Sequence, residues 1–456
     1  MRRARAVGAA TVLAILTLLP AAGPRHTDLE SSQPAADQRL AEAPGEIRLR
    51  FTTLVQRALS SVELRAPDGG LVPLGALDYA PASGDRELVA RIAAPLGAGL
   101  HQVTWRTAGP DSHPVSGSFA FTVERGATSV GDQAADTLPA APPPVAPQAG
   151  PAPPPLAPHD PLGLAGRWLF LLSTTLLIGV VTFRWSVVAP AARRGETALA
   201  DAARTGLRRL GWIGVLLAGT GAVVRVFTQA GATGTGALPL LFQTPWGWGW
   251  WLHLGAALLF AFGLLRAARS TTGRAGWVVA TVAAALATLA PPLSGHAWAV
   301  DGARRVPLLV ADTLHVAAAG AWIGALAGLV FVALPLLRRA RDADGRVPAL
   351  PSWIASFSRV SLMAVLVLLA TGAVNAWDRV GAFGALTGTG YGRTLLLKLG
   401  LLAGAAALGF YNWRVVRPAL QEQPRVGLLR IPATLELLLG LGVLLVTAAL
   451  IATHLP

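Results

Sequence analysis

Eight long apolar runs decide most of what this chain of 456 residues can become. They fall near 163–190, 208–230, 247–266, 275–292, 308–335, 355–377, 393–415 and 431–453. A helix of about 20 apolar residues crosses the hydrocarbon of a bilayer, and in that medium a segment must satisfy its own backbone. The second half of the chain therefore reads as an all-α polytopic bundle of about eight transmembrane helices in a lipid bilayer. The composition, 53% hydrophobic, agrees.

The run 308–335, LLVADTLHVAAAGAWIGALAGLVFVALP, carries Asp312 and His315 three residues apart and so on one helical face. Ionisable groups at that depth are costly, face a bundle interior and mark a functional site by default. The plainer reading puts Asp312 at the interface and has His315 bond a neighbouring helix.

Formal net charge is +14, nearly all from arginine, and Lys398 is the chain's single lysine. In a soluble protein that balance suggests nucleic acid. Here the arginines sort into alternate loops, after the first, third, fifth and seventh runs, so topology explains them and no nucleic-acid partner is expected. The positive-inside rule then sets both ends outside the cytoplasm, in a cytoplasmic (inner) membrane. There is no cysteine, and Met1 and Met363 are the two methionines. Thiolate sites and methionine-rich Cu(I) tracts are excluded, which leaves histidine, carboxylate, amide and backbone as ligands.

Residues 1–23 read as a signal peptide: Arg2, Arg3 and Arg5, an apolar run over Ala6–Leu19, then small residues. An uncleaved anchor is the alternative, and either one exports the segment that begins near residue 26. Residues 26–125 alternate polar and apolar positions in short segments such as Glu46–Phe51, Gln102–Trp105 and Ser118–Val123. Turn signals separate them, as in a small β-sandwich or barrel. Before the last segment, Asp111 and His113 lie two apart on a loop, a weak metal signal by itself. Residues 126–161 are rich in Pro and Ala and suit an extended spacer rather than a core.

In the membrane half, polar residues gather by sequence position at the exported ends of the runs: Arg225, His253, His296, Asp312, His315, Asn375 and Lys398. They suggest a polar vestibule, in which Arg225 and Lys398 oppose a cation or balance Asp312. Glu436 stands apart, nearer the other side. The Trp246–Trp251 run reads as an interfacial anchor, and Gly219/Gly221, Gly320/Gly324 and Gly400/Gly404 as close helix contacts.

The wording of both halves is more specific than these patterns. SQPAAD (32–37), IRLRF (47–51), LHQVTW (100–105) and DSHPVSGSFAFTV (111–123) resemble the CopC family of exported copper-binding Greek-key sandwiches. That resemblance implies Cu(II) held by His26, Asp111 and His113, donors that suit Cu(II). Arg25 precedes His26 where the family has a small-residue cleavage site. His101 stands where relatives often carry an aromatic residue and reads as a surface histidine on a strand.

SGHAWA (294–299), ADTLHVAAAGAWIGAL (311–326), SFSRVSLMAVLVLLATGAVNAW (356–377) and TGYGRTLLLKLGL (389–401) resemble the CopD family of membrane copper-resistance and uptake proteins, over 162–456. The whole chain thus resembles a CopC–CopD fusion.

The expected function is copper import, homeostasis and resistance without enzymatic activity. The sandwich captures copper and passes it to metal ligands His253, His296, Asp312 and His315. Two alternatives remain: a membrane electron-transfer protein with haem on His253 and His315, and a copper chaperone or sensor serving exported copper proteins.

Overall fold

The computed structural model describes residues 27–110, 112, 114–124, 160–269, 273–299, 302–341, 347–380 and 384–453. The signal-peptide expectation lies outside these residues, as do the spacer up to residue 159, His26, Asp111 and His113. The chain divides into two compact units, one of strands and one of helices.

The strand unit is a two-sheet sandwich. One sheet has the order β1 (Leu29–Gln33), β3 (Glu46–Phe51), β7 (Glu87–Arg91), β6 (Asp78–Tyr79). The other has the order β2 (Arg39–Leu40), β9 (Pro114–Val123), β8 (Gly99–Ala108), β4 (Ser61–Arg65), β5 (Leu71–Val72). All pairings are antiparallel except β2 with β9. Alternation along each strand sends one set of side chains inward. Ile47, Leu49 and Phe51 of β3 meet Val103 and Trp105 of β8 and Phe119 and Phe121 of β9. Phe51 and Trp105 pack edge to face with centroids 5.3 Å apart. A Cβ at Gly117 would stand 2.7 Å from the Trp105 ring, so the ring has room only because that position has no side chain.

His101 corrects an expectation. It is fully buried, and its ring stacks on Phe121 at 5.4 Å. The alternation that sends Val103 and Trp105 inward sends His101 inward too. An aromatic core position is filled here by an imidazole, whose Nδ1 lies 3.1 Å from the Gly99 carbonyl.

Among the described residues, the helical unit holds eight helices long and apolar enough to cross a membrane: α1 (Pro161–Arg193), α2 (Thr197–Thr233), α3 (Pro245–Ala268), α4 (Arg274–Leu293), α5 (Gly302–Arg339), α6 (Leu350–Val380), α7 (Gly390–Glu422) and α8 (Gly427–Leu450). Asp160 caps α1 by accepting from the backbone of Leu162 and Gly163 at 3.1 and 2.9 Å. Helix α5 contacts α1 backbone to backbone. A Cβ on Gly324 would collide with the Thr175 carbonyl, and one on Gly179 with Gly324 itself. Gly320 and Gly324 thus act as expected. Gly219 and Gly400 face open space and do not. Four stretches open into π-helix: Arg184–Val188 in α1, Gly320–Gly324 and Leu329–Ala333 in α5, and Asn412–Val416 in α7.

The tryptophan run is divided. Trp248 and Trp251 are exposed as anchors would be, whereas Trp246 is buried and Trp250 donates to the Ala222 carbonyl of α2 at 2.8 Å. Trp246 is held inward because the Arg225 guanidinium lies over its ring at 4.9 Å.

Candidate functional site

Two helices, α5 and α6, share a run of polar contacts. Positions 312 and 315 lie one turn apart on α5, and Thr371, Asn375 and Arg379 recur every four residues on α6, so each set shares a helical face. The faces meet as a ladder. The His315 ring lies with Nδ1 3.0 Å from the Thr371 hydroxyl. One turn nearer the arginine-poor end of the bundle, the Asp312 carboxylate accepts from Asn375 Nδ2 at 2.6 Å. Arg379 Nη2 spans both of its oxygens at 3.1 and 2.9 Å. Beyond them Arg304 of α5 pairs with Asp378 of α6, the charges reversed.

The counter-charge of Asp312 is therefore Arg379. Neither Arg225 nor Lys398, the partners weighed from the sequence, forms an ion pair with it among the described residues. A signal for Arg379 was present: it lies four residues after Asn375, and a carboxylate at this depth needs a cation.

His253 lies elsewhere. On α3 it is buried against α1, with Nε2 3.2 Å from the Ser173 hydroxyl and Nδ1 3.4 Å from that of Thr174. Phe170 covers it at 4.4 Å between centroids. Arg225 rests on the same Phe170 at 4.1 Å. A cation beside His253 would meet this guanidinium and would have to displace two hydroxyls from the imidazole. His253 bonds to α1 and His315 to α6, so the two rings serve different helix pairs. His296 opens a short helix, His296–Ala299, and its side chain lies outside the described residues. Among the described residues no three His, Asp or Glu side chains gather closely enough to hold a metal ion.

In the sandwich, the loop between β8 and β9 carries the Asp-x-His spacing, and its middle residue, Ser112, is described. Ser112 is fully buried with φ of 60°, a left-handed backbone that costs a residue with a side chain. Its amide donates to the Gly109 carbonyl at 2.8 Å, and Gln56 Nε2 donates to its hydroxyl at 3.0 Å. The backbone of Gln56 is tied in turn to Ala108, through an amide that donates at 2.9 Å. Gln56, which sequence reasoning passed over, thus clamps the loop from a neighbouring segment.

A β-sandwich joined to eight membrane-length helices defines a two-part membrane protein, and comparison with known proteins makes the class specific. The CopC domain family matches residues 29–124, and the family described as Copper resistance protein D matches residues 351–450. Copper resistance protein D of Pseudomonas syringae pv. tomato is 30% identical over 277 residues, which cover 58% of this chain and 85% of that protein. Copper transport protein CutJ of Bacillus subtilis (strain 168) is 23% identical over 457 residues, 98% of this chain and 77% of its own. Among solved structures, CopC from Methylosinus trichosporium OB3b is 30% identical and covers 23% of this chain and 100% of its own, with a TM-score of 0.21.

The chain belongs to the CopC–CopD family of copper resistance and transport proteins. It is a multi-pass membrane protein with copper as its partner, and its relatives are named for transport and resistance rather than for catalysis.

Proposed function

We propose that this protein captures Cu(II) outside the cytoplasm on the β8–β9 loop, through Asp111, His113 and His26. It then passes the ion to the α5–α6 ladder for import. The observation that carries this reading is the joining, in one chain, of a sandwich whose Asp-x-His loop is clamped by Gln56 and a bundle whose α5–α6 polar ladder contains His315 and Asp312. In this reading the sandwich, the arginine-poor loops and both chain ends face away from the cytoplasm.

His315 is the first membrane ligand, its ring oriented by Thr371. Asp312 is held by Arg379 and Asn375 until an arriving cation competes with the guanidinium for the carboxylate. Of the other two ligands inferred from sequence, His296 belongs to the entry and His253 to a later step that releases its hydroxyls. Haem on His253 and His315 is not carried forward, because the two rings serve different helix pairs.

The test is cytoplasmic copper in cells with the intact gene, without it, and with His315→Ala/Asp312→Ala. Import predicts lower copper in both the deletion and the double mutant. Higher copper reverses the direction to efflux. Unchanged copper in both strains overturns transport and leaves the chaperone role.

A further inference from the structure

Glu436 takes no part in the ladder, yet it is the most buried carboxyl among the described residues of the bundle. It lies nine residues into α8, roughly 14 Å along the helix at 1.5 Å per residue. That is well inside a helix of membrane-spanning length. The residue is only 5% exposed. Its two oxygens have one donor each, and both donors are neutral. Trp322 Nε1 on α5 donates to Oε1 at 3.0 Å, and Asn412 Nδ2 on α7 donates to Oε2 at 3.1 Å.

Among the described residues no cation compensates it. The titratable or charged groups nearest in register on the helices packed around α8 are Arg184 on α1, Asp312 and His315 on α5, and Tyr411, Arg414 and Arg417 on α7, with Arg430 on α8 itself. None of these bonds to Glu436. Arg184 lies over Trp185 and Trp277 at 4.7 and 5.8 Å, and Asp312 and His315 are engaged by α6. A carboxylate without a counter-charge at this depth gains from accepting a proton.

The partner on α7 suits both protonation states. Asn412 donates from Nδ2 and leaves Oδ1 buried without a hydrogen-bond partner. A side-chain amide presents donor and acceptor on nearly superposable ends. Turned by 180°, Asn412 offers Oδ1 to the O–H of a protonated Glu436. The carboxylate takes a proton and becomes the acid, the amide turns, and the hydrogen bond reverses, with Nδ2 taking the unpartnered position that Oδ1 holds now.

Both partners sit in unusual backbone. Trp322 lies within the π-helical stretch of α5, and Asn412 begins that of α7. Such stretches collect at functional sites because they widen the helix and permit local shifts.

We propose that Glu436 is a proton-binding site, loading and releasing a proton within the bundle with the Asn412 amide serving both states. What the proton drives rests on the copper-import reading: inward movement of the cation exchanged against, or accompanied by, this proton. The site itself does not depend on that reading.

The test uses the full chain in lipid nanodiscs, with infrared difference spectra recorded as pH is stepped. The wild type is expected to show a protonated-carboxyl C=O band that appears reversibly as pH falls. Glu436→Gln, judged folded by its elution profile, should lack the band; Glu436→Asp should restore one; and Asn412→Leu should move its frequency. Identical spectra for wild type and Glu436→Gln overturn the proposal. In a second arm, copper uptake into proteoliposomes should fall severalfold with a protonophore in the wild type and be indifferent to it in Glu436→Gln. If wild-type vesicles take up no copper, the import reading fails while the infrared band still decides the proton site.

Discussion

Asp312 is the residue on which sequence expectation and structure most nearly meet. An acid in that run had to face the bundle interior and find a partner, and both are observed. The identity of the partner was not legible, because Arg225, Arg304, Arg305, Arg379, Arg393 and Lys398 lie at comparable depth or in nearby loops and only the register of α6 against α5 selects Arg379. The pair is mostly enclosed, with side-chain exposures of 26% for Arg379 and 15% for Asp312. Removing one member therefore leaves the other poorly solvated, at a cost of about 1–3 kcal/mol. Asp312→Ala and Arg379→Ala should each lower the thermal midpoint of the purified chain. The double mutant should lose clearly less than their sum. Strict additivity would show that the two groups do not sense each other. His101 teaches a different lesson: its inward phase was legible from Val103 and Trp105, and was missed because a polar residue type was given more weight than strand periodicity.

At the scale of elements, all eight spans were readable because twenty apolar residues leave few alternatives, and the sandwich strands were readable from their alternation. The pairings between helices were not, since apolar helices look alike along most of their length. Glycines narrowed the choice only in part. Gly320 and Gly324 do lie at a close crossing, yet Gly400, with the same spacing to Gly404, faces open space. The contrast yields a prediction. Gly324→Val would drive a branched side chain into the α1 backbone and should cost at least the ~1–3 kcal/mol of an overpacked core. The yield of monodisperse protein after extraction should fall sharply. Gly400→Val should leave it unchanged, and equal losses from both would mean that the α1–α5 crossing is not where the bundle is tightest.

For the molecule as a whole, the sequence carried the two-part plan and the family resemblance with little ambiguity. It set Glu436 apart, but it could not show that the remaining polar residues divide, with His253 and Arg225 against α1 and Asp312 and His315 against α6. In the import reading, covalent joining keeps the copper-capturing half at high effective concentration over the bundle. Expressing the halves as separate exported and membrane chains should therefore reduce copper accumulation at low external copper and be rescued as external copper rises. Accumulation independent of the joining would show that the sandwich does not supply the bundle.

One arrangement bears on how such a protein should be handled. Helix α7 is largely uncovered by the other described residues, with Leu397, Phe410 and Trp413 exposed, and it is this helix that brings Asn412 to Glu436. Short-chain detergents, which replace lipid tails poorly, should loosen α7 ahead of the α1–α5 crossing. A preparation could then keep its helical content and its elution volume while its central carboxyl has lost its neighbour. For this bundle, the surrounding lipid is in effect a structural component, and the solvent chosen for purification becomes an experimental variable.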